Sequence, residues 1–195
     1  MTMGKGRLEA FSDGVLAIII TIMVLELRIP EGETLETLRP LIPVFLSYVL
    51  SFVFLGIYWS NHHHLLQAVR HVNGTILWAN LHLLFWLSLI PAIMGWMGET
   101  HFAPWPLAAF GVVLLMAAVA YYILTRALLA EHEKDSVLAV ALGRDFKGKV
   151  SIVFYVIGIA AAFWSTAIAC GIYVLVAIIW LVPDRRFERT LRQKN

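Results

Sequence analysis

Long apolar stretches separated by short polar segments make up most of the chain. The first stretch occupies residues 7–28, and positions 14–25 within it carry no charge. Its length of about 20 residues is what a helix needs to cross the hydrocarbon core of a bilayer. The pattern therefore predicts a membrane-spanning helix near the start of the chain.

Five further spans are predicted from the remaining apolar stretches and the polar breaks between them. Residues 150–182 form an uncharged stretch that is too long for one span. We therefore expect a turn near residues 164–166 that divides it into two short spans. The predicted spans are about 8–28, 41–66, 75–96, 107–129, 150–163 and 167–182, and a basic tail follows at 183–195.

Composition agrees with this pattern. Hydrophobic residues make up 60% of the chain and charged residues 14%, which is typical of an integral membrane protein. The sequence predicts one domain, residues 1–195, of the all-α class. The one cysteine, Cys170, lies in an apolar stretch and predicts no disulfide framework. We expect no cofactor, no metal, no nucleic-acid partner and no enzymatic activity.

The distribution of lysine and arginine predicts the orientation. If the N-terminus is cytoplasmic, thirteen of the fifteen basic residues fall in cytoplasmic segments, and only Arg28 and Arg39 lie outside. Basic residues concentrate on the cytoplasmic side of membrane proteins. We therefore expect six spans with both termini in the cytoplasm, and contacts between the basic tail and anionic membrane lipids.

The first span has two faces that a lone helix in lipid does not need. Projected at 100° per residue, its branched side chains fall close to one line, whereas Ser12 and Asp13 point away from it. A carboxylate in a membrane helix is costly unless it faces protein, water or a partner group, so Asp13 is a candidate functional residue. The line contains Arg7, Phe11, Gly14, Ile18, Ile22 and Leu25, with Thr21 beside it.

Polar residues of three predicted spans fall at one depth in the membrane. The first span runs outward, the second inward and the third outward, so Ser12 and Asp13 lie level with polar residues of the other two. Because the bilayer interior offers no water, groups at the same depth should satisfy one another. On the second and third spans these groups are Asn61, His62, His63, His64, Trp78, Asn80 and His82.

These residues also carry a resemblance to a known family. The first span begins with the pattern R-x-x-x-F-S-D, the second contains Y-W-x-x-H-H and the third contains W-x-N. With six spans in this order, the chain is similar to the bacterial members of the transmembrane protein 175 family of potassium channels. The first-span pattern, formed by Arg7, Phe11, Ser12 and Asp13, is the specific part.

The resemblance implies one six-span repeat that works as a homotetramer in a bacterial inner membrane, with the first helices around a pore that conducts potassium ions. It implies an apolar constriction at Ile18, with further pore positions at Thr21 or Ile22 and at Leu25. It also implies a polar network that holds the first helix against its neighbours, at Arg7, Ser12 and Asp13, with Phe11 in the same pattern. The partners of that network are left open among Asn61, His62, His63, Asn80 and His82.

Several of these features also have structural explanations. The stripe of Ile18, Ile22 and Leu25 is equally typical of a seam between packed helices, and Asp13 of a structural hydrogen-bond acceptor. Consecutive histidines at 62–64 point about 100° apart on a helix, which does not favour a shared metal ion. Glu26 would give an oligomer a negative outer mouth that concentrates cations, or is simply a polar residue beside a loop.

Functions from different classes fit the sequence. The first is a potassium-permeable cation channel that lacks a T-V-G-Y-G filter and an arginine-rich voltage-sensing helix. The second is a proton-coupled secondary transporter that uses Asp13 and the membrane-embedded histidines. Transporters usually contain inverted repeats and broken spans, and the sequence predicts neither. A non-conducting membrane scaffold is a third alternative.

Overall fold

A computed structural model describes residues 4–30, 32–67, 69, 71–131 and 146–181. Every regular element in this part of the chain is a helix, which confirms the predicted all-α class. The elements are α1 (Lys5–Leu25), the short 3-10 helix η1 (Leu35–Leu41), α2 (Ile42–Gln67), α3 (Gly74–Ser88), α4 (Ile90–Glu99), α5 (Pro104–Glu131), α6 (Phe146–Ala161) and α7 (Thr166–Leu181).

Four helical segments are long and apolar enough to cross a membrane: α1, η1 joined to α2, α3 joined to α4, and α5. Helix α7 is also apolar, but at 16 residues it is shorter than these segments. The protein is therefore a multi-pass membrane protein. The count of six spans and the cytoplasmic placement of both termini stay predictions, and the basic tail at 183–195 lies outside the described residues.

Helix bounds differ in detail from the predicted spans. Helix α1 ends at Leu25, so Arg28 lies beyond the helix rather than at its end. Helices α6 and α7 are joined by residues 162–165, where the amide of Ser165 still donates to the carbonyl of Ala161 at 2.7 Å. This connection overlaps the turn that we predicted at 164–166.

The third predicted span, at about 75–96, is broken into two helices, α3 and α4. Pro91 has no amide hydrogen, so the carbonyl of Leu87 loses its usual helical donor. At the break, the amide of Leu89 donates to the carbonyl of Trp86 at 3.3 Å, a tighter turn than that of an α-helix. Broken spans are usual in transporters, so this span differs from the unbroken ones that the sequence predicted.

The core of the molecule lies around α5, which packs against α3 on one side and α6 on another. The side chain of Tyr173, from α7, is fully buried here. A Cβ added at Gly111 of α5 would overlap the Tyr173 hydroxyl, and one added at Gly158 of α6 would lie 2.5 Å from its ring. Glycine at these positions therefore allows three helices to close around one tyrosine.

Candidate functional site

Helix α1 lies at the edge of the bundle and packs against α2, α3 and α4 through one face only. The residues of that face recur every three or four positions, the period of a single helix face. They are Leu8, Ser12, Leu16, Ile19 and Met23, and all are buried. The rotation of α1 about its axis is thereby fixed by its own chain.

The predicted pore residues lie on the opposite face of α1. Ile18, Ile22 and Leu25 are 59%, 43% and 80% exposed in the single chain. Thr21 is also exposed, and its hydroxyl donates to the carbonyl of Ile18 at 2.8 Å. This face is therefore free to meet lipid or another copy of the chain, and pore lining stays a prediction for its four residues.

Glu26 follows the end of α1 and rests against the same chain. Its carboxylate lies over Gly95 of α4, where an added Cβ would be 2.6 Å from Oε2. Nearby in sequence, Arg28 forms an ion pair with Glu99 at the end of α4. The two contacts attach the C-terminal end of α1 to α4, and the predicted role of Glu26 at an outer mouth remains a prediction.

Three of the predicted polar residues meet in one buried chain of hydrogen bonds. The amide nitrogen Nδ2 of Asn80, on α3, donates to Ser12 Oγ on α1 at 2.9 Å. The Asn80 oxygen Oδ1 lies 2.7 Å from Nε2 of His62 on α2. Ser12 in turn donates to the carbonyl of Leu8 at 2.8 Å. Asn80 thus joins three helices through one side chain.

Asp13 has a partner that the sequence analysis did not name. The indole nitrogen Nε1 of Trp59, on α2, donates to Asp13 Oδ1 at 3.0 Å. Trp59 also stacks on His63, with ring centroids 6.0 Å apart and planes 22° from parallel. The spacing of four residues between Trp59 and His63 was the available signal, because it places both on one face of α2.

His63 belongs to a second set of contacts at the same end of α1. Its Nδ1 lies 3.2 Å from the carboxylate of Glu9, another residue that the sequence analysis missed. Its Nε2 lies 2.8 Å from the side-chain amide of Gln67. The ammonium of Lys5 donates to the carbonyl of Gln67 at 2.9 Å. These contacts tie the first two turns of α1 to the last turns of α2.

Other predicted members of the polar network form no side-chain hydrogen bond between α1 and a neighbouring helix. Asn61 donates to the carbonyl of Ile57 in its own helix, and His82 accepts from Trp86 one turn along α3. Phe11 is exposed on the free face of α1, and the exposed side chain of Arg7 makes no hydrogen bond or ion pair within the described residues. Their assignment to a network behind the pore helix therefore has no contact to support it.

The three adjacent histidines have separate environments. His62 is buried against Asn80, His63 faces Glu9 and His64 is exposed, with its ring beside that of His63. Within the described part of the chain, no three histidine, cysteine or carboxylate residues are grouped so that they could hold a metal ion. The arrangement of this region is suited to positioning α1.

Comparison with known proteins gives matches in sequence and in structure. The family model described as endosomal/lysosomal potassium channel TMEM175 matches residues 7–91. A potassium channel from Chryseobacterium sp. (strain P1-3) is 56% identical over 191 residues, covering 98% of this chain and 100% of its own. The endosomal/lysosomal proton channel TMEM175 of Rattus norvegicus is 29% identical over 150 residues, covering 67% of this chain and 30% of its own.

A solved structure is also similar. The crystal structure of a lysosomal potassium-selective channel TMEM175 homolog from Chamaesiphon minutus superposes with a TM-score of 0.77 at 26% identity. The match covers 91% of this chain and 96% of the other. A match of this coverage extends beyond residues 7–91, the region that the family model matches.

Proposed function

The chain belongs to the TMEM175 family of channels, and we propose that it forms a potassium-permeable pore along the axis of a homo-oligomer. Membership of this family makes it a channel protein rather than an enzyme. In the proposed assembly, four copies place α1 around the axis. The protein acts in a bacterial inner membrane with both termini in the cytoplasm, needs no cofactor and conducts potassium ions.

The observation that carries the proposal is the free face of α1. Its own chain covers the face that contains Ile19 and Met23 and leaves Ile18, Ile22 and Leu25 open. A cyclic oligomer brings the same face of each subunit to the axis. Since these residues lie within about two turns of the helix, their side chains would form successive rings along a central path.

In this pore, Ile18 forms the narrow apolar constriction. A ring of isoleucine side chains offers no oxygen to replace the water around an ion, and a narrow apolar ring excludes water when closed. Selection then depends on the cost of partial dehydration, which is lower for large cations. We therefore expect caesium and potassium to pass more easily than sodium, with modest discrimination.

The polar contacts on the other face support the pore indirectly. Ser12, held by Asn80, and Asp13, held by Trp59, fix the rotation of α1. A rotation of one residue, about 100°, would replace Ile18 by Ile19 on the axis. These contacts therefore position the constriction, and Glu26 near the other end of α1 would add negative charge at the outer mouth.

The proposal is tested by ion flux into liposomes that contain the purified protein, with potassium, sodium and caesium compared under an imposed potential. We expect flux in the order caesium and potassium above sodium. Flux that prefers sodium, or flux of anions, would contradict the proposed pore. Potassium movement that requires a proton gradient would instead support the proton-coupled transporter.

The number of subunits is measured on the same preparation by native mass spectrometry or by mass photometry. A four-fold assembly with cross-links between introduced cysteines at position 18 of neighbouring chains supports the central placement of α1. A conducting monomer would rule it out, because one copy of α1 with a free face encloses no path.

A further inference from the structure

A cavity of about 130 Å³ lies between α2, α5, α6 and α7. None of the described residues that line it belongs to α1, so it is separate from the candidate pore face. Much of its wall is apolar, including Phe54, Ile57 and Ile152, with the ring of Tyr155 beside them. An apolar cavity of this size stays dry and binds apolar molecules in preference to water.

Two polar side chains in the wall already have partners. Ser151 Oγ donates to the carbonyl of Lys147 at 2.8 Å and accepts from Trp180 Nε1 at 2.8 Å. The hydroxyl of Tyr121 donates to the carbonyl of Asn61 at 3.3 Å. Because these groups bond to the protein, an apolar guest in the cavity would leave them satisfied.

One cation borders this apolar space. Lys149 lines the cavity, is exposed, and its side chain makes no hydrogen bond or ion pair with another described residue. It is the fourth residue of α6, whose first backbone amides have no partner within the helix. A lysine ammonium and a helix N-terminus both attract anions. The site therefore combines an apolar cavity with positive charge at its edge.

We propose that this cavity binds a segment of the acyl chain of an anionic lipid, with Lys149 holding the phosphate or carboxylate headgroup. Lipid is the surrounding solvent of a membrane protein, so such a chain is always within reach of the cavity. Filling the space restores the van der Waals contacts that an empty cavity lacks. The proposal goes beyond the pore, because neither the ion nor the free face of α1 takes part in it.

The headgroup part of the proposal is tested by thermal unfolding of the purified protein in detergent, titrated with dioleoylphosphatidylglycerol or dioleoylphosphatidylcholine. We expect phosphatidylglycerol to raise the Tm at lower concentration. Lys149→Gln should weaken the apparent affinity for phosphatidylglycerol about fivefold and leave that for phosphatidylcholine unchanged. Arg126→Gln removes an exposed charge from α5 that does not line the cavity, and should leave both titrations as in the wild type.

The chain-binding part is tested by filling the cavity. Ala118 lines the cavity, so Ala118→Leu should raise the Tm without lipid and abolish the shift that either lipid produces. Ala127→Leu is the matched control, since Ala127 is an equally half-buried alanine of α5 outside the cavity lining. The control should keep the full lipid response.

Oleate in the same assay distinguishes the source of the ligand. A Tm shift equal to that of phosphatidylglycerol, and lost in Lys149→Gln, shows that any anionic acyl chain fits, whereas a shift with phosphatidylglycerol alone shows that the phosphate is required. Both results support the site. If Lys149→Gln responds like Arg126→Gln, or if Ala118→Leu keeps the wild-type response, the proposal is overturned. The assay measures no ion flux, so its result is independent of the proposed pore.

Discussion

Helices α1 and α7 are attached to the bundle by different means, although both are apolar and both leave one side uncovered. Directional side-chain hydrogen bonds hold α1, through Ser12 to Asn80 and through Asp13 to Trp59. Helix α7 has one such bond to α6, from Trp180 to Ser151 at 2.8 Å, and it also has a close-packed contact in which Tyr173 fills the space left by glycines on α5 and α6. The glycine-lined packing site is therefore what distinguishes the attachment of α7 from that of α1.

The difference shows what each attachment controls. A hydrogen bond depends on direction, so the contacts of α1 fix its rotation and decide which residues face away from the bundle. The contact of the Tyr173 ring with two glycines instead fixes the distance between helix axes. A larger side chain at either glycine would force α7 away from α5 or α6. Rotation matters for a helix that presents one face to a pore, and spacing matters for a supporting helix.

The largest expected effect comes from comparing two adjacent residues of α1. Ile19 is 3% exposed, so Ile19→Asn removes a buried side chain and buries an amide, at a cost of about 3 kcal/mol or more. Ile18→Asn changes an exposed residue and should leave the fold intact. In the proposed constriction it should wet the ring and raise basal potassium conductance. Size-exclusion chromatography and liposome flux measure the two outcomes.

Two other results would be informative for this pair. If Ile18→Asn leaves conductance unchanged and Ile19→Asn raises it, the pore face has been assigned one residue away from its true position. If neither variant changes conductance, α1 does not line the pore.

The next effect tests the hydrogen bonds that hold α1. Asn80→Leu keeps the volume but leaves Ser12 and His62 without their shared partner, at a cost of roughly 1 to 3 kcal/mol for each buried group. Asn61→Leu is the control, because the Asn61 side chain bonds only to its own helix. We expect Asn80→Leu to lower the Tm in detergent far more than the control. Equal Tm values would show that Asn80 does not hold the three helices together.

A smaller effect is expected from the packing around α7. A methyl group at Gly111 would meet the Tyr173 hydroxyl, so Gly111→Ala should cost about 1 to 3 kcal/mol. Gly171→Ala places the same group in open space and should be neutral or slightly stabilising. Thermal unfolding compares the two variants. Adding Tyr173→Phe to Gly111→Ala should recover part of the loss, and no recovery would mean that the contact is not the cause.

The smallest effect concerns Asp13. Its described contact is one hydrogen bond from the exposed Trp59, so Asp13→Ala should cost only about 1 kcal/mol and should reduce the oligomer fraction modestly. Trp59→Phe removes the same bond, so the loss in the double variant should be little larger than the loss in either single variant. The oligomer fraction by size-exclusion chromatography measures this. A fully assembled Asp13→Ala protein that has lost only its pH response would favour a proton-relay role for Asp13.

The sequence predicted the helical class because apolar length alone identifies a membrane helix. The sequence also identified three residues that are joined by hydrogen bonds. The predicted depth along three successive spans placed Ser12, His62 and Asn80 at one level of the membrane. Depth does not determine rotation about the helix axis. Asn61 and His82 bond within their own helices, whereas Trp59, which the depth argument did not include, reaches Asp13.

Other features depend on contacts between distant parts of the chain and have no local sequence signal. The fit of Tyr173 against Gly111 and Gly158 requires knowing which three helices meet. The cavity that borders Lys149 has the same origin, because its wall combines residues from four helices. The break in the third span did have a signal in Pro91, but a proline alone does not show how far back along the helix its effect extends.

The hydroxyl of Thr21 has its only proton engaged by the carbonyl of Ile18. Its oxygen can therefore act outward only as an acceptor. In the proposed pore, four such oxygens would surround the path one turn beyond the constriction, presenting lone pairs and no hydrogens. A cation that has shed part of its water at Ile18 would find weak coordination there, whereas an anion would find none. The preference of this ring for cations over anions would then come from the hydrogen bond between Thr21 and Ile18, without any charged residue.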